Sequence, residues 1–119
     1  MSNLARLYDQ VGEQELSEQY AARVRLFRRQ NPYYLYHLAE QAYAEADYEE
    51  AEHLLNMAIL RNSHEHEFYR LMGLSQLSRG DVQKAEESFR KAAEIAEGEE
   101  QDNYNRKLDM LATNAGAQD

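Results

Sequence analysis

The sequence predicts an all-α fold in which antiparallel helix hairpins stack side by side, with about seven helices in all. Three observations carry this reading. Structure breakers are scarce, with one proline and five glycines in 119 residues, which leaves long stretches free for helix. Apolar residues recur at helical spacing along most of the chain. Residues 32–65 also recur in 66–99, at an offset of 34. Leu38 matches Met72, Ala39 matches Gly73, and Asp47 matches Asp81. Tyr48 matches Val82, Ala51 matches Ala85, Glu52 matches Glu86, Leu55 matches Phe89, and Ala58 matches Ala92. The pairs agree in size or polarity and fall where two packed helices need them.

Residues 1–31 read as a degenerate hairpin. Leu4, Leu7, Tyr8 and Val11 suit a short first helix, and Gly12, 34 residues before Ala46, takes the turn. A second helix over about 13–29 carries Leu16, Tyr20, Val24 and Phe27 as its apolar stripe. Ser17 and Ala21 stand where the later units have Ala51 or Ala85 and Leu55 or Phe89, which weakens the match.

Residues 32–65 form the first full hairpin. Pro32 suits a first helical position after Asn31. Leu35, Leu38, Ala39 and Ala42 share one face of a helix over 32–45. Asp47 caps the second helix, with Glu50 at capping-box spacing. Ala51, Leu54, Leu55, Ala58 and Ile59 form its apolar side. Residues 66–98 repeat the plan. A helix over 65–79 carries Phe68, Tyr69, Met72 and Leu77, and Gly80 gives a left-handed stop. Asp81 caps the next helix, which carries Val82, Ala85, Phe89, Ala92 and Ile95. Helices joined by a short turn pack about 8–10 Å apart, and the small residues Ala39, Gly73, Ala51 and Ala85 permit that approach. Residues 99–112 form a capping helix, with Tyr104, Leu108 and Leu111 on one face and polar residues on the rest. Residues 113–119 read as a flexible tail. The whole is one domain.

The units resemble tetratricopeptide repeats. The most specific stretches are Gly-Asp-Val-Gln-Lys-Ala-Glu-Glu-Ser-Phe-Arg-Lys-Ala at 80–92 and Ala-Asp-Tyr-Glu-Glu-Ala-Glu-His-Leu-Leu-Asn-Met-Ala at 46–58. The resemblance implies a right-handed α-solenoid. It also implies a bacterial tetratricopeptide protein, or that segment of a larger one, that binds protein and is not an enzyme. Several positions depart from the family. Leu35 and Tyr69 stand where it often has tryptophan, Ala42 and Gln76 stand where it favours an aromatic, and no proline follows either repeat.

Composition narrows the partner. With 22 acidic and 13 basic residues the net charge is −9. Such a domain repels phosphate backbones, so nucleic acid is not expected, and a segment with apolar and basic side chains is favoured. Cysteine is absent, which removes disulfide and thiolate chemistry. No basic-then-apolar leader and no long apolar run appear, so a cytoplasmic protein without membrane insertion is expected.

In a tetratricopeptide array the first helices line the concave groove. The resemblance therefore points to Tyr33, Tyr36, His37, Glu40 and Tyr43 in one unit, with Arg70 and Leu74 in the next, as the partner-binding set. Glu67 and Leu77 face the same way. Tyr33, Tyr34 and Tyr36 cannot all enter one core, because neighbours on a helix point about 100° apart. Tyrosine offers a large rigid contact with a polar tip. The competing reading is that these tyrosines seal a joint against the preceding helix. The family's carboxylate clamp needs Lys, Arg and Asn on the first helices. Tyr36, His37, Glu40, Arg70 and Leu74 occupy those places, so a chaperone-tail ligand is not expected.

His64-Glu65-His66 lacks the His spacing of a helical metal site, so no metal is expected. No phosphate loop or nucleophile motif appears, and no cofactor or catalysis is expected. Arg23, Arg25, Arg28 and Arg29 lie near a helix C-terminus, where cations offset the macrodipole. An alternative to ligand binding is self-association as a homodimer, through an end face that the degenerate unit caps poorly.

Overall fold

The computed structural model describes residues 14–117, and among them every regular element is helical. The helices are α1 (Gln14–Gln30), α2 (Pro32–Ala44), α3 (Tyr48–Arg61), α4 (His66–Ser78), α5 (Val82–Ile95) and α6 (Gly98–Ala117). The expected helix around Leu4–Val11 lies outside the described residues. The rest follows the hairpin order read from the sequence, with one difference. Helix α6 runs to Ala117, past the expected end at 112 and into the stretch read as a tail. Its last turns contain Ala112, Ala115 and Ala117, strong helix formers, and Thr113 Oγ1 bonds back to the Asp109 carbonyl at 2.9 Å.

The turns inside the two full hairpins, α2–α3 and α4–α5, use one device. Ala46 and Gly80, 34 residues apart, adopt left-handed backbone at φ 63° and 86°. The next amide closes a Schellman motif in each case, Asp47 N to Ala42 O and Asp81 N to Gln76 O, at 2.8 and 2.9 Å. The same aspartates then cap the following helices, accepting from the Glu50 and Lys84 amides at 3.3 Å. The capping box is half realised, because the Asp47 amide is already bonded within the Schellman motif. Asn31 caps α2 through the Tyr33 amide at 2.9 Å.

Among the described residues two apolar clusters form the core. Leu35, Ala39, Leu55, Ala58, Phe68, Leu71 and Met72 make the first. Tyr69, Ala85, Phe89, Ala92, Ala93, Ala96 and Tyr104 make the second. The small residues work in matched pairs. Gly73 lies so close to Phe89 that a β-carbon there would sit 2.7 Å from its Cζ. One repeat earlier the pair is Ala39 with Leu55, a larger residue facing a smaller one. Ser88 donates to the buried Gln76 side chain at 2.7 Å, so the polar pair inside this joint is satisfied.

The radius of gyration is 19.5 Å and the long axis 69 Å. A compact chain of this length would have a radius of about 13–14 Å.

Candidate functional site

The first helices α2, α4 and α6 lie side by side and are tied to one another by side chains. The repeat offset places their residues in columns. Tyr36, Arg70 and Tyr104 occupy equivalent positions, as do Tyr33, Glu67 and Gln101 nearer the helix N-termini. Glu40, Leu74 and Leu108 form the next column, and Tyr43, Leu77 and Leu111 the last. The face is therefore polar along one side and mainly apolar along the other.

The polar side is a chain of bonded groups. Tyr33 is 54% exposed. Its hydroxyl donates to Glu65 at 3.2 Å and accepts from Asn62 at 3.3 Å. Tyr36 accepts from Arg70 Nη2 at 3.1 Å and donates to Glu67 Oε2 at 3.4 Å. Arg70 Nε reaches the same carboxylate oxygen at 2.7 Å. Burial pushes the Tyr36 phenol up, while Arg70 pulls the other way. Desolvation opposes the charge on Arg70, but Glu67 and Tyr36 outweigh it and hold the guanidinium above its ordinary value. Both tyrosine rings pack on Phe68, with centroids 5.6 and 5.4 Å away.

The chain continues to α6. His66 Nε2 lies 2.7 Å from Glu100 Oε2 and Nδ1 lies 2.8 Å from Tyr104 Oη. With Nε2–H donating to the carboxylate, a neutral ring accepts the phenol proton at Nδ1. Burial, reinforced by Glu67, pushes the Tyr104 phenol up to about 12. That is the reverse of what an activated phenolate needs, and it marks the contact as a fastening. A small pocket of about 190 Å³ lies here, lined by His66, Glu67, Arg70, Glu100, Asn103 and Tyr104.

The apolar side is made of half-buried side chains. Leu74 packs against both core clusters, and Leu77, Leu108 and Leu111 pack against the second. Tyr43 meets Tyr48 edge-on at 5.5 Å and rests on the first cluster.

The structure sorts the residues expected at the site into three groups. Tyr33, Tyr36 and Arg70 are gathered at the α2–α4 joint. Both tyrosine rings pack on Phe68 of α4, the next first helix. Tyr43 and Leu74 lie on the apolar side, with Glu40 exposed beside them. His37 is exposed and pairs with Gln41 at 3.3 Å. Gln41 lines a different concavity, so His37 sits at the margin of the set. The sequence reading missed His66, Glu100, Tyr104, Leu108 and Leu111 as part of this face. One more step of the 34-residue offset leads from Arg70 and Leu74 to Tyr104 and Leu108. Among the described residues no three His, Asp or Glu side chains gather as a metal-binding group, and His66 is turned into the α4–α6 joint.

The concavity that Gln41 lines holds about 360 Å³ between α2 and α3. Its floor is Leu35, Leu38, Ala42, Leu54 and Met57, with Glu45, Asp47 and Glu50 at the rim. One repeat on, the matching concavity is smaller, about 270 Å³, and α3 contributes Asn56 and Ile59 to it. The α1 residues 34 earlier are Ala22 and Arg25, both exposed. Leu38 and Leu54 are consequently half-exposed where their counterparts Met72 and Ser88 are buried.

Stacked hairpins, matched left-handed turns and small-to-large pairing at a 34-residue period define a tetratricopeptide-like helical-repeat fold. Among solved structures the chain is similar to SycD, the type III secretion translocator chaperone of Yersinia enterocolitica. The TM-score is 0.71 at 18% sequence identity, over 96% of this chain and 82% of SycD. At that identity the likeness carries the fold. No protein-family model matches the chain, and no curated protein matches it in sequence. Among the described residues no helix is long and apolar enough to cross a membrane.

Proposed function

We propose that this chain is a tetratricopeptide-family interaction module that holds a segment of a partner protein against its first helices, without catalysis. The observation that carries the reading is the row Tyr43, Leu74, Leu77, Leu108 and Leu111. These side chains are only half buried, and they continue across three successive first helices. Such a row gains from being covered, at about 25 cal/mol per Å² of apolar area removed from water. The similarity in fold to a translocator chaperone supports a protein as the ligand. The net charge of −9 favours basic side chains in that ligand and opposes a polyanion.

The test is affinity capture with paired variants. Leu74→Lys places a charge in the row, while Glu87→Lys changes an exposed site on α5. Capture of a partner by the wild type and by Glu87→Lys, with loss by a folded Leu74→Lys, is the expected result. Equal capture by both variants contradicts the reading.

A second reading, self-association, is favoured by the concavity between α2 and α3. There an exposed Arg25 stands in α1 where the next unit has Ile59, and the apolar floor is left half covered. Sedimentation across a range of concentrations decides it. A weight that rises with concentration, and no longer rises in Leu54→Lys, supports an interface at this concavity. A monomer at every concentration removes it.

A further inference from the structure

We infer that the first-helix face reads the position of a basic side chain. It accepts Lys or Arg over α2, at the end of an extended apolar segment that runs across α4 and α6. The inference rests on the partner-binding reading and adds register to it. The two columns on the ligand side are not uniform. Across α4 and α6 they hold Leu74, Leu77, Leu108 and Leu111, and at α2 they change to Glu40 and Tyr43. Glu40 is exposed, and among the described residues it forms no ion pair. Its charge is felt at the Tyr36 phenol, one turn away. Arg70, the cation that α4 adds to this face, is already held by Glu67 and Tyr36. A free carboxylate beside a tyrosine ring accepts an ammonium or guanidinium by charge and by contact with the ring face.

The same side chain fits badly one helix further on. Over Leu74 and Leu77 a cation loses water and gains no partner. Spacing follows from the packing. Packed helices lie about 8–10 Å apart, and an extended segment in polyproline II conformation rises about 3.1 Å per residue with three residues per turn, so that side chains three apart share one face. Successive first helices therefore meet side chains about three residues apart. The ligand pattern is Lys-x-x-Leu-x-x-Leu or its reverse, Leu-x-x-Leu-x-x-Lys, with the charge at one end. A central charge, as in Leu-x-x-Lys-x-x-Leu, lies over Leu74.

Labelled peptides of these three orders, with Ser and Gly spacers, have one composition and one net charge, so general attraction to an acidic protein affects them alike. Fluorescence anisotropy with the full chain should show an end-charged peptide binding about tenfold more tightly than the central one. Glu40→Lys, an exposed substitution, should erase the difference and favour the peptide in which Glu replaces the terminal Lys. Equal affinity for all three orders, or a preference that survives Glu40→Lys, overturns the inference and leaves the partner-binding reading in place. Failure of every peptide to bind, including a Leu-x-x-Leu-x-x-Leu control, overturns both.

Discussion

Gly73 and Ala46 show how single positions set the hairpin. Adding a methyl at Gly73 meets Phe89 at 2.7 Å inside the second cluster. Overpacking costs about 1–3 kcal/mol, while Gly-to-Ala in a helix returns about 1. Gly73→Ala should therefore lower stability by about 1 kcal/mol in urea unfolding, although Ala39 is native at the equivalent position. The difference lies in the opposing residue, so Phe89→Leu should relieve Gly73→Ala. Equal losses with and without Phe89→Leu would sink the pairing argument. Ala46 presents the opposite case. Its left-handed φ of 63° costs an L-residue about 1–2 kcal/mol, and Gly80 serves the equivalent turn without that cost. Ala46→Gly should stabilise by about 0.5–1 kcal/mol after the larger entropy of the unfolded chain is counted. A loss of stability would show that the turn is not under strain.

At the scale of the element, α6 continues the row of first helices. Its apolar stripe of Tyr104, Leu108 and Leu111 was legible in the sequence. Its membership of the proposed ligand face was not, because Lys107 stands in the small position held by Ala39 and Gly73. That break hides the repeat. In the structure Lys107 lies over the Phe89 ring, 5.0 Å from its centre. The bonds joining Tyr36, Arg70 and Glu67 were equally illegible, since they depend on how two units lean together. The turns were readable to the residue, because Asp47, Gly80 and Asp81 report local backbone geometry. The fastening of α6 has a consequence at high pH. The Tyr104 phenol is raised to about 12, so its proton is held more tightly in the folded chain than in the unfolded one. Its stabilising contribution is complete below its ordinary value of 10.0 and is lost as pH rises through about 12. Tyr104→Phe should make stability fall less steeply between those values, as followed by helical circular dichroism under urea. An unchanged slope would mean that Tyr104 is not held as described.

For the whole molecule, the fold follows from a repeat that two units show clearly, while the proposed ligand face needs all three first helices. The sequence pointed to seven residues for that face, and the structure divides their roles. Tyr33, Tyr36 and Arg70 fix one unit against the next, so their exposure reports joint geometry as much as readiness for a ligand. Tyr43, Leu74 and Glu40 remain open beside Leu77, Leu108 and Leu111. The stack thus has a braced edge and an apolar bed, and the proposed ligand lies on the bed. Nuclear magnetic resonance mapping of this bed, with the end-charged Lys-x-x-Leu-x-x-Leu peptide titrated in, tests the central claim most directly. The account expects the largest shifts at Glu40, Tyr43, Leu74, Leu77, Leu108 and Leu111. Shifts concentrated instead at Leu38, Leu54 and Met57, between α2 and α3, would contradict it.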